Sequence, residues 1–154
     1  MAIDTNPEKI RDLLDRGVEE IVDKDNLERR LKAGERLRIK LGIDPTGSKI
    51  HIGRAVILWK LKAFQELGHQ IVLIIGDFTG QVGDASDKDS MRKCLSEGEI
   101  GTNMAGYQKQ FGIILDMDKV ELRYNSEWLS QLNFKDVLGL AMNFTAQQMI
   151  QRRN

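Results

Sequence analysis

The sequence predicts an α/β domain wound on a parallel sheet, and three observations carry that prediction. Apolar residues alternate at Leu37, Ile39, Leu41 and Ile43, the period of a strand with one buried face. Five apolar residues follow one another from Ile71 to Ile75, the pattern of a parallel strand covered on both faces. Between and after these strands the apolar spacing turns helical, so the order reads βαβαβ behind a helical arm, a doubly wound arrangement. A chain of 154 residues suits one domain with one core.

Each element has its own signal. Thr5-Asn6-Pro7-Glu8 reads as a capping box with proline in the first helical turn. Ile10, Leu13, Leu14, Val18 and Ile21 then share one helical face. Asp25 to Glu28 offers a second cap for a short helix that Gly34 stops. After the first strand and a glycine-bearing turn, a helix from about Ile52 to Leu67 carries Val56, Ile57, Leu61, Phe64 and Leu67, and Gly68 closes it. Gln70 to Ile75 is the second strand, joined to the first by a crossover expected to be right-handed.

The polar stretch from Ser86 to Glu97 reads as a mobile surface loop. Ser96-Glu97-Gly98-Glu99 opens another capped helix, with Ile100, Met104, Tyr107, Phe111 and Ile114 turned inward. Val120, Leu122 and Tyr124 alternate as a third strand. Ser126 to Asn154 reads as two or three short helices, whose Trp128, Phe134, Leu138, Met142, Phe144 and Met149 belong to a core or an interface. No repeat or low-complexity linker divides the chain, and no return strand follows the last helix.

Composition narrows the function. Acidic and basic residues number 23 each, so the net charge is zero and no chain-wide basic footprint for nucleic acid exists. One cysteine, Cys94, excludes an internal disulfide, and two histidines, His51 and His69, make a multi-histidine metal centre an unfavourable reading. No metal site is expected. The N-terminus lacks a basic region ahead of an apolar core, and no apolar run reaches membrane-spanning length, so a cytoplasmic setting is expected.

The chemistry gathers in two loops. The first runs Gly42-Ile43-Asp44-Pro45-Thr46-Gly47-Ser48-Lys49-Ile50-His51-Ile52-Gly53-Arg54, from strand to helix start. At such a junction a nucleotide phosphate meets free backbone N–H groups and the positive end of a helix dipole. The second, Gly76-Asp77-Phe78-Thr79-Gly80-Gln81-Val82-Gly83-Asp84, leaves the next strand at the same sheet edge. His51 reads either as a surface histidine or as a donor to a phosphate oxygen. Asp44 and Asp84 are either turn residues or a pair gripping an ammonium group or a ribose hydroxyl. Lys88 and Arg92 are either solvated surface or mobile cations for a polyphosphate. Cys94 has no candidate base to make it a nucleophile, and His69 beside Gly68 reads as a solvated C-terminal residue.

Taken together, the loops resemble one family. Gly42-Ile43-Asp44-Pro45-Thr46 followed by His51-Ile52-Gly53-Arg54 is similar to the first ATP motif of class I aminoacyl-tRNA synthetases, His-Ile-Gly-His, with the lead-in found in tyrosyl-tRNA synthetases. The second loop through Ala85-Ser86, and Leu122-Arg123-Tyr124-Asn125-Ser126-Glu127-Trp128-Leu129, match that family's later segments in order. The Asp-Pro-Thr lead-in and the Gly-Asp-Phe-Thr-Gly loop argue against the related tryptophanyl enzymes. The resemblance implies a Rossmann-like (HUP-type) nucleotide-binding parallel sheet with flanking helices, incomplete at its C-terminal side. It divides the chain into a helical arm (1–35), the first half of the nucleotide-binding domain (36–125) and the helical start of a connecting, dimer-forming insertion (126–154).

The same resemblance implies tyrosine activation with ATP, Mg²⁺ accompanying the ATP, then transfer to tRNA(Tyr) by a full-length homodimer. Gly42, Asp44, Pro45, Thr46, His51, Gly53 and Arg54 would bind ATP, with Thr46 and His51 on the separating phosphates. Lys40, Thr79 and Asp84 would bind tyrosine, and Lys88 and Arg92 would close on the pyrophosphate. Three departures stand out. Arg54 replaces the motif's second histidine, Ala85 replaces a usual proline, and Lys40 stands where some members have tyrosine. The second ATP motif, Lys-Met-Ser-Lys-Ser, is absent, so the expectation is an N-terminal part of such an enzyme. A nucleotide-binding module without turnover, or half of a split enzyme, is the competing expectation.

Overall fold

A computed structural model describes residues 2–82 and 96–151. Three parallel strands, β1 (Arg38–Ile43), β2 (Gln70–Ile75) and β3 (Val120–Tyr124), lie in the order β1-β2-β3. Their register stacks Ile39, Ile71 and Val120 in one row, Leu41, Leu73 and Leu122 in the next, and Ile43, Ile75 and Tyr124 in the last. With a side-chain period of two, these rows make one apolar face. Helix α3 (Ile52–Glu66) covers it with Leu58 and Leu61, and α5 (Glu97–Phe111) covers it with Tyr107 and Phe111.

Both crossover helices therefore pack on the same side. A sheet that advances in one direction sends successive crossovers of the same hand to one face. The opposite face carries Arg38, Lys40, Val72, Ile74, Glu121 and Arg123. Val72 is buried there, yet it belongs to neither apolar cluster. Arg38 spans β2 beside it, reaching both carboxylate oxygens of Glu121 at 2.7 Å. Ile74 on that face is only half-buried, so the expected covering of β2 on both sides is met in part, and within the described residues the sheet is wound on one side only.

The N-terminal arm adds to the covered side. Helix α1 (Pro7–Asp15) begins at Asn6, whose Oδ1 accepts from the N–H groups of Glu8 and Lys9 at 2.9 and 3.3 Å. The cap is thus Asn6 rather than Thr5. The helix also stops before Val18 and Ile21, because Lys60 Nζ takes up the carbonyls of Leu13 and Arg16 at 2.7 and 2.6 Å and Gly17 turns the chain at φ +64°. Helix α2 (Lys24–Lys32) starts from Asp23, ahead of the expected cap, and ends in a left-handed Gly34 as predicted. Ile10, Leu13, Leu14, Leu31, Leu37 and Leu67 form a second cluster that reaches α3 through Ala63 and Phe64.

On α3 the inward line is Leu58, Leu61 and Gln65, while Val56 and Ile57 are exposed. Leu61 and Leu67 are buried as expected; only near the helix start does the reading miss by one step, Ile57 for Leu58, about 100° round the helix. Gly68, at φ +93°, ends the helix in a Schellman motif: its N–H meets Gln65 O at 3.0 Å and that of His69 meets Phe64 O at 3.1 Å.

His69 is not the solvated residue the sequence suggests. It is 4% exposed, and its Nδ1 accepts the Leu37 N–H at 3.3 Å. That assigns the ring proton to Nε2, which is buried without a partner among the described residues. Burial holds the His69 pKa below its ordinary 6.5. The unfolded chain takes up the proton at the ordinary value, so this contribution to stability is complete above about pH 6.5 and is lost as pH falls through the depressed folded pKa. The melting temperature is therefore expected to fall between pH 7.5 and 5.5. His69→Asn, which keeps an acceptor for Leu37 but cannot titrate, should flatten that slope in thermal melts.

Helix α5 starts with the predicted capping box: Ser96 Oγ accepts from Glu99 N–H, and Glu99 Oε2 from Ser96 N–H. A 3₁₀ turn (Met117–Lys119) leads into β3. Helices α6 (Ser126–Leu129), α7 (Phe134–Ala141) and α8 (Ala146–Gln151) follow, matching the short helices expected. Trp128, Phe134, Leu138, Met142, Phe144 and Met149 are exposed, Phe134 at 77% and Met142 at 86%, so among the described residues they are not core. No helix among the described residues is long and apolar enough to cross a membrane.

Candidate nucleotide-binding site

Both informative loops leave the carboxyl ends of neighbouring parallel strands, where open α/β sheets bind ligands. They are tied to each other and to the end of β3. Gly76 N–H meets Ile43 O at 2.9 Å, continuing the ladder past the end of β2. Thr79, at the start of the short helix α4 (Thr79–Val82), donates its hydroxyl to Asp44 Oδ1 at 2.7 Å. Asn125, 8% exposed, donates to Thr79 Oγ1 at 2.9 Å and accepts the Phe78 N–H at 2.9 Å. Asp77 accepts from the N–H and hydroxyl of Ser126 at 3.0 and 2.6 Å.

This stitching needs glycine at position 76, because a Cβ there would lie 1.7 Å from Asp44 Oδ1 and 2.5 Å from Thr79 Oγ1. Asp44 and Thr79, expected to serve different ligand groups, are thus one hydrogen-bonded pair. Sequence reasoning did not single out Asp77 and Asn125. The only signal for Asn125 was its place in the segment after the third strand.

The first loop runs from Asp44 to His51. Its Pro45 is buried, while Asp44 and Thr46 are exposed. His51 caps α3 from an extended backbone without a side-chain cap bond, and it is exposed. The imidazole lies over the first helical turn. A Cβ on Gly53 would sit 3.1 Å from its Nδ1, so this glycine is where the ring needs room. Gly42 has open space around it rather than a crowded neighbour. Arg54 donates from Nη1 to Tyr107 Oη at 2.9 Å and from Nη2 to Thr46 Oγ1 at 3.4 Å. Lys40 projects from the uncovered face of β1, exposed, with no ion pair or hydrogen bond to the described residues. Asp84, Lys88 and Arg92, with Ala85, Cys94 and most of the expected surface loop, lie outside the described residues.

Helix α5 holds the first loop from the other side. Asn103 Nδ2 donates to Pro45 O at 3.0 Å, and Gln110 Nε2 to Ser48 O at 3.1 Å. Gln110 Oε1 accepts the Ile50 N–H at 2.8 Å. Sequence patterning missed this stripe, because periodicity marks apolar positions and Asn103 and Gln110 are polar. The resulting surface carries the N-terminus of α3, His51 and Arg54 on one flank and Asp44 on the other. An anion is favoured at the first and a hydroxyl or ammonium group at the second.

The family described as tRNA synthetases class I (W and Y) matches residues 32–154. This chain belongs to that family. Tyrosine–tRNA ligase 2 of Clostridium acetobutylicum is 46% identical over 146 residues, 92% of this chain and 36% of that protein. Tyrosine–tRNA ligase of Deinococcus radiodurans is 46% identical over 142 residues, 91% of this chain and 34% of that protein. The chain thus spans about a third of the length of these relatives. Among solved structures, tyrosyl-tRNA synthetase of Archaeoglobus fulgidus, complexed with L-tyrosine, matches with a TM-score of 0.70 and 26% identity over 92% of this chain and 41% of that one. Plasmodium falciparum tryptophanyl-tRNA synthetase matches at 0.65 with 18% identity over 98% of this chain and 42% of that one, a likeness of fold. For this synthetase chain the Rossmann-like α/β fold expected from its loops is the fold observed.

Proposed function

We propose that this chain is the N-terminal nucleotide-binding part of a tyrosine–tRNA ligase. In the whole enzyme a tyrosine carboxylate oxygen attacks the α-phosphorus of ATP, the bond to the β-phosphate oxygen breaks, and pyrophosphate leaves before transfer to tRNA(Tyr). The observation that carries this reading is the joining of the two family loops at one sheet edge, in a chain 46% identical to tyrosine–tRNA ligases over most of its length.

In this reading the first loop takes ATP. Gly42, Asp44, Pro45 and Gly53 shape its backbone around the nucleotide, Thr46 and His51 meet the separating phosphates, and Arg54 adds its charge beside them. Such transfers need positioning and charge stabilisation rather than a protein nucleophile. Lys40, Thr79 and Asp84 belong to the tyrosine side, and Lys88 and Arg92 to the departing pyrophosphate. Mg²⁺ would travel on the ATP phosphates, neutralising their charge. No group of three or more His, Cys, Asp or Glu gathers among the described residues to cage it, and no step here is routed through it. The reading carries with it a cytoplasmic setting. It also carries a homodimer of the full-length enzyme, for which the exposed apolar residues of α7 and α8 are suited. Residues 1–35, 36–125 and 126–154 then serve as arm, nucleotide-binding half and connecting segment.

ATP–pyrophosphate exchange on the purified chain tests this reading. Tyrosine-dependent exchange should fall roughly a hundredfold in His51→Ala, the scale on which a donor to developing charge acts. Tryptophan-dependent exchange would overturn the tyrosine assignment. The second reading is a nucleotide-binding module without turnover of its own. ATP binding without exchange would select it.

A further inference from the structure

We infer that Arg54 is a positioning residue that, through Tyr107, makes α5 the splint of the first loop. This inference deepens the nucleotide-binding reading and rests on it for the ligand, though not for the tether itself.

The argument starts from the loop's backbone. Residues between a strand and a helix have N–H and C=O groups that regular structure does not satisfy, and such groups need partners. Here α5 supplies them from one face: Asn103 to Pro45 O, and Gln110 to both Ser48 O and Ile50 N. Tyr107 lies between these two on the same face, since positions three and four apart align on a helix. Its ring is 1% exposed and sits edge-on to Phe111 in the core, so the phenol is fixed. Arg54 runs from that fixed oxygen to the loop's own side chain, Thr46.

Among the described residues the charge has no counter-ion. Arg54 forms no ion pair with the described residues; both its partners are neutral oxygens. It also stands in the first turn of α3, where the helix dipole disfavours a cation. A cation so placed, held by neutral acceptors and with guanidinium N–H groups to spare, is arranged for an incoming anion. Where the family motif has a histidine, this chain has a permanently charged fork whose geometry depends on α5. The loop's shape and the anion's contact are thereby set by one residue pair.

Hydrogen exchange of peptides covering residues 45–51, read beside ATP titration and thermal melting, decides the matter. Tyr107→Phe keeps the ring and removes only the acceptor. Loop exchange should rise roughly tenfold, the effect of losing one hydrogen bond to a charged group. β2 exchange should stay unchanged, and the ATP dissociation constant should rise several-fold. Arg54→Lys keeps the charge but loses the fork, and should match it. The double variant should be no worse than either single one, because the two residues act as a unit. Unchanged loop exchange in Tyr107→Phe, or additive effects in the double variant, would overturn the inference. A chain whose loop responds as expected but which binds no ATP would leave the tether standing and remove the nucleotide reading.

Discussion

Gly76→Ala will break the joint between the three strand ends. The added methyl carbon would lie 1.7 Å from Asp44 Oδ1 and 2.9 Å from its Cγ, distances no contact tolerates, so Asp44 must swing away from Thr79. Thr79 then loses its acceptor, and Asn125 is left holding a hydroxyl with no fixed orientation. Forced overpacking of this kind costs about 1–3 kcal/mol. In a chain of this length each kcal/mol corresponds to roughly 2–4 °C of melting temperature. The site should suffer more than the fold, because the residue displaced is one of its own. ATP affinity in titration should drop more steeply than the melting temperature alone explains. The paired variant Asp44→Ala in the Gly76→Ala background removes the closer clash, leaves the 2.5 Å approach to Thr79 Oγ1 for that side chain to relieve, and should recover part of the melting temperature without recovering binding.

Phe111→Ala should have the largest effect on the fold. The ring is fully buried in the cluster beneath β2, and it meets Tyr107 edge-on with centroids 5.9 Å apart. Truncating a buried phenylalanine costs about 3–5 kcal/mol, from lost burial plus the cavity left behind. That is a large share of the roughly 5–15 kcal/mol that separates a domain from its unfolded state. The denaturation midpoint in urea should shift accordingly, with Phe111→Leu losing less. Because Phe111 braces Tyr107, the variant should also loosen the loop that Tyr107 steadies.

The sheet was legible from the sequence because its strands announce themselves in period two and in an unbroken apolar run, signals set by burial alone. The capping box at Ser96 and the stop at Gly68 were legible because they depend on local backbone geometry. Interior placement along α3 was less so: Val56, Ile57 and Leu58 are all apolar, and only the packing partner decides which one turns inward. His69 escaped notice for a related reason. A helix-ending glycine says that the chain turns, not that the next ring turns back onto the Leu37 amide. At the site, His51 and Thr46 stood out through spacing. The contacts that fix the loop come from Asn103, Tyr107 and Gln110, residues separated from it by more than fifty positions; Tyr107 carries a periodic mark for burial but none for its hydroxyl's partner, and the other two carry none. Pairings of that range are decided by topology, which sequence spacing does not display.

The parallel order of the strands sets a timetable. Ile39 must wait for Ile71, and Ile71 for Val120, before a ladder can close, each across an intervening helix. Loop closure over such spans costs entropy before any contact repays it, so parallel pairing is slow relative to local helix formation. The helices themselves close only local bonds and can form earlier, whereas the arm's contacts to α3, such as Lys60 with Leu13, span as much chain as the strand pairings do. The Asp44–Thr79–Asn125 joint draws on the ends of all three strands, so it is complete only when both pairings are made. The binding edge therefore depends on both strand pairings at once, and opening either of them takes it apart.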